Sequence, residues 1–246
     1  GGFEAPIRFI SSDSSSSGVT ILNAKEVLIQ HVEAENLNTL NERGWILTGG
    51  MNIYQSSVKI ESLKIKNAMS EDALNLIRCD FDIFLLDING TKSDGFDADF
   101  CTGKIDNSFF SNTGNDCIDF SGSEIIATVL WIENAGDKAV SVGEESFLDV
   151  SGIQIVGAEM AFASKDNSYL VVNNATVQDV NIGIAAFQKK PEYGPAKIEL
   201  YQVTYTRIKT LGLLDIGSTC ILDGVEHKGR IKVDVEKLYA KFNSPK

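Results

Sequence analysis

The segment Ser93-Asp-Gly-Phe-Asp-Ala-Asp99 is followed 22 residues later by Asn115-Asp-Cys-Ile-Asp-Phe-Ser121, and after the same interval by Asp137-Lys-Ala-Val-Ser-Val-Gly143. The period continues on both sides of these segments. A column of small residues reads Ala73, Gly95, Cys117, Ala139, Ala161 and Gly183, and the next column is apolar throughout, with Leu74, Phe96, Ile118, Val140, Phe162 and Ile184. A fixed period of this length is typical of a solenoid, in which each repeat forms one coil stacked on its neighbours.

Each coil consists of short β segments separated by turns. Side chains alternate between the two sides of a strand, so Leu74 and Leu76 are predicted to point inward, and Asn75 and Ile77 outward. Hairpin signals are scarce, since Asn-Gly occurs once, at Asn89-Gly90. The pattern therefore predicts an all-β fold, a single-stranded right-handed parallel β-helix of roughly nine coils.

The whole chain, 1–246, is predicted to be one domain. Residues 1–17 are expected to form an irregular N-terminal segment, and 228–246 a cap on the open end of the solenoid. Two polar stretches, 36–50 and 188–195, interrupt the repeat and are predicted to leave the coil as loops.

The formal net charge of −12 argues against nucleic acid and against anionic membrane surfaces as partners. No segment has the length of apolar sequence that a membrane span needs, so no membrane insertion is expected. The four cysteines lack zinc-ligand spacing. Cys79 and Cys101 lie one coil apart, so they form either two stacked free thiols or a disulfide, and both alternatives stay open.

Four aspartates are predicted to converge on adjacent coils, with Asp97 and Asp119 pointing outward. Stacking places Asp94 beside Asp116 and Asp97 beside Asp119, and we call these four residues the aspartate cluster. Like charges at the inter-strand spacing of roughly 5 Å repel. Either a cation lies among them, for which calcium is suited, or one carboxyl keeps its proton with a raised pKa. A shared proton suits acid–base work on a glycosidic bond.

The segments that begin at Ser93 and Asn115 resemble the Asn-Thr-Asp-Gly-Phe-Asp and Gly-Asp-Asp-Cys-Ile motifs of polygalacturonase-type hydrolases of the pectin-lyase-like superfamily. Gly136-Asp-Lys-Ala-Val-Ser-Val-Gly143 looks like their Gly-His-Gly-Ile-Ser-Ile-Gly segment. That resemblance implies a right-handed parallel β-helix and catalytic Asp94 and Asp116. The sequence departs from the pattern in two places: Asn115 stands where the general acid is expected, and Lys138 replaces a histidine.

Parallel β-helix polysaccharide lyases fit these departures better. Similarity to them implies calcium ligands among the aspartate cluster, a base at Lys138 or Lys165, an acidic polysaccharide as substrate, and an extracellular or cell-surface location. The chain begins without a signal-type leader, so export cannot be read directly.

A non-catalytic alternative remains beside the enzyme. The chain is also similar to uncharacterised bacterial β-helix repeat proteins, which favours a structural or glycan-binding module of a cell-surface protein. In that case Lys138 forms an exposed ladder salt bridge with Asp116 and any calcium is structural. Catalysis predicts a groove walled by the insertions, with lysines facing in; a binding module predicts a flat face with no perturbed carboxylate.

Overall fold

The computed structural model describes residues 1–42 and 44–240. The elements are β1 (Ile7–Ile10), β2 (Val19–Leu22), β3 (Val27–Ile29), β4 (Val32–Glu35), β5 (Leu40–Glu42), β6 (Trp45–Leu47), β7 (Gly49–Tyr54), β8 (Ser57–Ala68), β9 (Asp72–Ile77), β10 (Asp80–Thr91), β11 (Asp94–Asp99), β12 (Thr102–Thr113), β13 (Ile118–Ser121), β14 (Glu124–Ala135), β15 (Lys138–Gly143), β16 (Phe147–Lys165), β17 (Tyr169–Phe187), β18 (Lys197–Leu214), β19 (Thr219–Leu222), β20 (Val225–Lys228) and α1 (Val235–Ala240).

The strands stack in parallel to form three faces. The first face contains β2, β7, β9, β11, β13 and β15, followed by the C-terminal parts of β16, β17 and β18, which makes nine stacked segments among the described residues. The second face extends from β3 to β19, and the third from β1 to β18; the longer strands bend around a corner and belong to more than one face. The predicted right-handed parallel β-helix is confirmed.

Apolar side chains fill the centre of the coils as the alternation predicts. Leu74, Leu76 and Phe96 are fully buried. Phe96 packs edge-on between Phe81 and Phe120, at ring-centroid distances of 5.8 and 5.5 Å. The column of small residues is required by close backbone stacking, because a Cβ on Gly95 would lie 2.5 Å from the carbonyl oxygen of Cys117. The register of the repeat therefore follows from core packing.

The corners between faces are made by single residues in the left-handed backbone region. Between the second and third faces these are His31, Ser62, Leu85, Asn107, Val129, Gly152, Asn174 and Gln202, all with positive φ. Between the third and first faces they are Asn36, Asn67, Gly90, Asn112, Asn134, Gly157, Asp179 and Arg207. Gly and Asn tolerate this conformation, whereas a β-branched side chain is strained in it.

Val129 is therefore a strained corner, with φ of 53° and a side chain 40% exposed. Val129→Asn is expected to stabilise the protein by about 1 kcal/mol, because the strain disappears while little apolar burial is lost. For a chain of this size that raises the melting temperature by roughly 2–4 °C. Asn107→Val, one coil earlier at the same corner, should shift it in the opposite direction. An unchanged or lower melting temperature of Val129→Asn in a thermal scan would contradict the strain.

The two ends differ from the sequence-based expectation in detail. Residues 1–17, predicted to be irregular, contain β1, which pairs in parallel with β4 because Ile7 and Phe9 continue the inward columns of the third face. At the other end β20 pairs antiparallel with β19, and α1 follows. Within the predicted cap 228–246, residues 241–246 lie outside the described residues. Among the described residues, no helix combines the length and apolarity needed to cross a bilayer.

The insertions and thiols can be placed as well. The stretch 36–50 includes an antiparallel hairpin of β5 and β6. Cys79 and Cys101 are free thiols, and the backbone N–H of Cys79 donates to Sγ of Cys101 at 3.3 Å. Of the two alternatives, the stacked free thiols are the ones observed.

Candidate functional site

The four residues of the aspartate cluster lie on adjacent coils of the first face, with Asp97 and Asp119 on its outward side. Asp97 and Asp119 occupy the same register position on β11 and β13. The backbone N–H of Asp116 donates to Oδ1 of Asp94 at 2.8 Å, which places those two residues on neighbouring coils of the same edge. The predicted alignment of residues 22 positions apart is confirmed.

Asp94 and Asp116 also bind neighbouring coils together. Oδ1 of Asp94 accepts a second hydrogen bond, 2.7 Å long, from Nδ2 of Asn115. Oδ1 of Asp116 accepts the backbone N–H of Lys138, one coil further on, at 3.0 Å. Both carboxylates therefore satisfy backbone donors of the solenoid, in addition to any chemistry they perform.

Lys138 is buried, where the module hypothesis placed an exposed salt bridge. Its side chain is 3% exposed, and Nζ lies 3.2 Å from Oδ1 of Asp116 and also contacts Asp137. The predicted ion pair with Asp116 is present, but its predicted exposure is wrong. The reason is α1, whose Tyr239 ring lies over Nζ with 5.0 Å to the ring centroid.

Lys165 lies one coil further, at the opposite end of the first-face segment, because Met160 is the residue that pairs with Lys138. Its Nζ lies 3.4 Å from Oδ1 of Asp119, and its side chain is 7% exposed. Burial alone would lower the pKa of both lysines, but the neighbouring carboxylates, Asp116 for Lys138 and Asp119 for Lys165, raise each pKa above its usual value. Both ammonium groups therefore keep their protons at neutral pH, which does not favour either lysine as a base.

The carboxyls on the part of the first face that α1 does not cover have raised pKa values. Burial, together with the nearby Asp99, Asp72 and Asp119, raises the pKa of Asp97 to about 10. Burial and the charge of Asp116 raise the pKa of Asp94 to about 7. The perturbed carboxylates predicted for a catalytic site are thus found at Asp97 and Asp94.

The remaining members of the cluster behave differently. Burial raises the pKa of Asp116, and the ammonium of Lys138 opposes that rise. The Asp119 side chain keeps 26% exposure beside Lys165. Asp97 and Asp119 are therefore the partly exposed pair at the centre of the face, while Asp116, at 3% exposure, is enclosed.

Sequence reasoning missed three contributors on the same face. Asp99 is two residues beyond Asp97, and burial with the charge of Glu144 raises its pKa to about 6. Nδ2 of Asn75 donates to Oδ2 of Asp72 at 2.9 Å and lies 3.5 Å from Oδ2 of Asp97. Asn75 and Asp99 occupy outward columns of the repeat, so the alternation that located Asp97 was a sufficient signal for these two, and Asp72 lies one coil before Asp94 in the same column.

The donor set does not fit the predicted calcium. Among residues 1–42 and 44–240, no group of three or more Asp, Glu, His or Cys side chains is arranged to hold a metal ion. The ammonium groups supply the positive charge that a bound cation would otherwise provide, because Lys138 neutralises Asp116 and Lys165 lies beside Asp119. A proton on Asp97 relieves the rest of the repulsion.

Both insertions and the C-terminal segment border the cluster. Oγ1 of Thr48, at the end of the first insertion, accepts a 3.0 Å hydrogen bond from Nδ2 of Asn75. In the second insertion Lys190 pairs with Glu144, and the backbone N–H of Lys189 donates to Asp166. Beyond Lys165 the same face is apolar and covered: Val233 and Leu238 pack on Met160, Ala163, Ala185 and Phe187. The acidic part of the face is therefore bounded at one end by α1.

Comparison with known proteins gives structural likenesses alone. No protein-family model matches the chain, and no curated protein matches it. The catalytic domain of a GH87 alpha-1,3-glucanase in complex with tetrasaccharides has a TM-score of 0.44 at 11% identity, over 93% of this chain and 58% of that one. The same glucanase domain in complex with nigerose gives 0.45 at 12% identity, with the same coverage.

The enzymatically active domain of Bacteriophage CBA120 tailspike protein 2 gives a TM-score of 0.46 at 11% identity, over 83% of this chain and 43% of that one. The chain thus spans between two fifths and three fifths of the length of these structures. At these identities and TM-scores, the likeness carries no argument about substrate or activity.

Proposed function

We propose that the protein binds a polysaccharide along the outward side of the first face and hydrolyses its glycosidic bonds, with Asp97 as the proton donor. The observation that supports this is the pairing of two carboxyls with unlike environments on adjacent coils. Asp97 has a pKa of about 10, whereas Asp119, at the same register position, lies beside an ammonium group. One carboxyl that holds a proton, next to a second carboxyl beside a positive charge, is the arrangement that acid–base catalysis of this reaction requires.

The proposed step uses one proton and one negative charge. Asp97 gives its proton to the glycosidic oxygen, so the leaving sugar departs as an alcohol. The Asp119 carboxylate faces the positive charge that develops at the anomeric carbon. Water then bonds to that carbon as the glycosidic C–O bond breaks, and its released proton goes to the Asp97 carboxylate, which restores the acid. Lys165 holds Asp119 in place without removing its charge.

Hydrolysis is favoured over the lyase mechanism that the resemblance implied. A lyase needs an unprotonated base next to the uronate carboxylate, and the raised pKa values of Lys138 and Lys165 keep both lysines charged. The acidic face also favours neutral polymers, because a uronate chain would meet Asp99 and Asp119.

An acidic polysaccharide, a bound calcium ion and an extracellular or cell-surface location stay predictions. No step of the proposed reaction involves the ion. If calcium binds, it raises the melting temperature, and the Asp94→Ala/Asp116→Ala double variant loses that rise. Melting curves that are identical with calcium and with a chelator would contradict the prediction of a calcium site.

The decisive experiment is incubation with a panel of neutral and uronate polysaccharides. Released reducing ends report hydrolysis, and absorbance at roughly 235 nm reports the unsaturated ends of a lyase product. Asp97→Asn is expected to lower release of reducing ends by a factor of at least about 100, because the general acid is lost. Asp82→Asn, an exposed aspartate on the second face, is the matched control and should retain full activity.

Hydrolysis that survives Asp97→Asn would contradict the assignment of the acid.

A second candidate function is a non-catalytic glycan-binding or structural module of a cell-surface protein. The backbone hydrogen bonds of Asp94 and Asp116 favour it, since they give these carboxylates a structural role. The absence of any product from the whole panel, with binding retained, would favour the module.

A further inference from the structure

The third face has an aromatic pair on its outward side, on the same two coils as Asp97 and Asp119 but on a different face of the solenoid. Phe109 on β12 and Trp131 on β14 occupy neighbouring coils at the same position. Their rings stack with centroids 4.5 Å apart and planes 5° from parallel. Phe109 is 40% exposed and Trp131 is partly exposed, so the pair lies at the surface.

Each ring of the pair has one face covered by the other ring and one face turned along the solenoid axis. The register continues from Phe109 to Asp87 on one side and from Trp131 to Gln154 on the other. Neither neighbour is aromatic, and both are polar. A flat ligand ring can therefore lie against an aromatic face while its edge meets a polar side chain.

A groove of about 490 Å³ runs beside the pair. Its polar lining includes Asp87, Ser111, Glu133 and Gln154. Within the described chain, none of these four side chains takes part in an ion pair or a side-chain hydrogen bond, so their hydrogen-bonding capacity is available to a ligand. From Asp87 to Gln154 the groove crosses four coils, a length of roughly 15 Å at the inter-strand spacing.

These features select the chemistry of the occupant. Aromatic faces need a ligand with apolar ring faces, and the free carboxylates and amide need a ligand with many hydroxyl donors. Asp87 and Glu133, on a chain of net charge −12, disfavour an anionic polymer. A neutral sugar chain combines apolar ring faces with hydroxyl edges and has the extended shape of the groove.

We propose that the groove at Phe109 and Trp131 is a binding site for a neutral polysaccharide, separate from the first face. The inference does not depend on the proposed hydrolytic activity, because the two sites share no residue. Its role is to hold the polymer on the third face of the solenoid, independently of any reaction on the first face. The aromatic pair supplies affinity, and the polar side chains set the orientation of the sugar.

The test is native affinity electrophoresis of the full chain in gels that contain dextran, mixed-linkage β-glucan, xyloglucan or galactomannan, with polygalacturonate as the anionic comparison. At least one neutral polymer is expected to retard the protein. The Phe109→Ala/Trp131→Ala double variant should lose retardation, with affinity reduced by roughly tenfold or more. Phe100→Ala, which removes another exposed aromatic side chain, should be retarded like the parent protein.

Three results would overturn the proposal. The first is free migration of the parent protein in every neutral polymer. The second is retardation that is as strong in a folded double variant as in the parent protein, with folding checked by the circular dichroism melt. The third is a dimer in light scattering that the double variant dissociates, since the pair would then be an interface between copies of this chain. If the double variant does not fold, Trp131→Phe and Phe109→Leu keep the volume, and one of them must weaken retardation.

Discussion

Lys138→Met is expected to lower the melting temperature by roughly 10 °C. The substitution keeps an unbranched side chain of similar length but removes the ammonium group that lies between Asp116 and Asp137. Both carboxyls are enclosed, at 3% side-chain exposure, so neither can recover its solvation in water. Removal of one partner from a buried ion pair costs about 3–5 kcal/mol, because the other charge is left uncompensated.

The control is the same substitution at an exposed lysine. Lys59 pairs with Glu61 at 2.7 Å, but its side chain is 56% exposed, so Lys59→Met should change stability by less than about 1 kcal/mol. Addition of Asp116→Asn to Lys138→Met should recover part of the loss, since it removes one of the uncompensated charges. Equal melting shifts for Lys138→Met and Lys59→Met would show that the buried pair does not support the fold.

Stability is expected to fall as the pH rises from 5 to 8. The pKa of Asp97 is raised from 3.8 to about 10 and that of Asp94 from 3.8 to about 7, so the folded protein holds protons that the unfolded chain releases above pH 4. A carboxyl with a raised pKa in the folded state stabilises most below its unfolded value, and the contribution decreases as pH rises toward its folded value. Because both carboxyls keep partial contact with water, we expect about 3 kcal/mol in total, or roughly 6–12 °C in melting temperature.

Asp97→Asn is the variant that separates this effect from other titrations. An amide cannot ionise, so the variant should melt at a higher temperature than the parent at pH 8 and show a weaker dependence on pH. Asp82→Asn should leave the dependence unchanged. Asp179 and Glu199, whose pKa values lie near 2, lose their stabilising contribution only at lower pH than the scan covers. A parent protein that is equally stable at pH 5 and pH 8 would contradict the protonated state of Asp97.

The fold and the positions of the aspartates could be predicted because both follow from the repeat. A period of 22 residues fixes which residues stack, and alternation along the strand fixes which of them point outward. Asp97 and Asp119 therefore lie where the columns placed them. The same reasoning placed Lys138 one coil after Asp116, whereas the pairing of Lys165 with Asp119, two coils away, was not predicted.

What could not be predicted depends on segments distant in the sequence. Lys138 is buried because Tyr239, about 100 residues later, covers it, and no periodic signal links the two residues. The position of α1 on Met160 and Phe187 is set by tertiary packing of a short helix. The prediction of an irregular segment 1–17 is wrong for β1. The serine-rich stretch that follows this strand, Ser11 to Gly18, has no strand pattern, and the prediction extended it over the strand as well. The left-handed corners at Leu85 and Val129 could not be predicted either, because the β-strand propensity of such apolar residues assigns them to strands.

The backbone ladders join each coil to the coil above and the coil below, so most of the interactions that hold the solenoid together are between nearest neighbours. Loosening begins at the tips, where β1, β2 and β3 each have a single parallel partner. The coils that carry Asp97 and Asp119 lie in the interior of this stack of coils, bonded on both sides. Amide exchange should therefore advance inward from the tips, and the spacing between these two carboxyls would be among the last features to be lost.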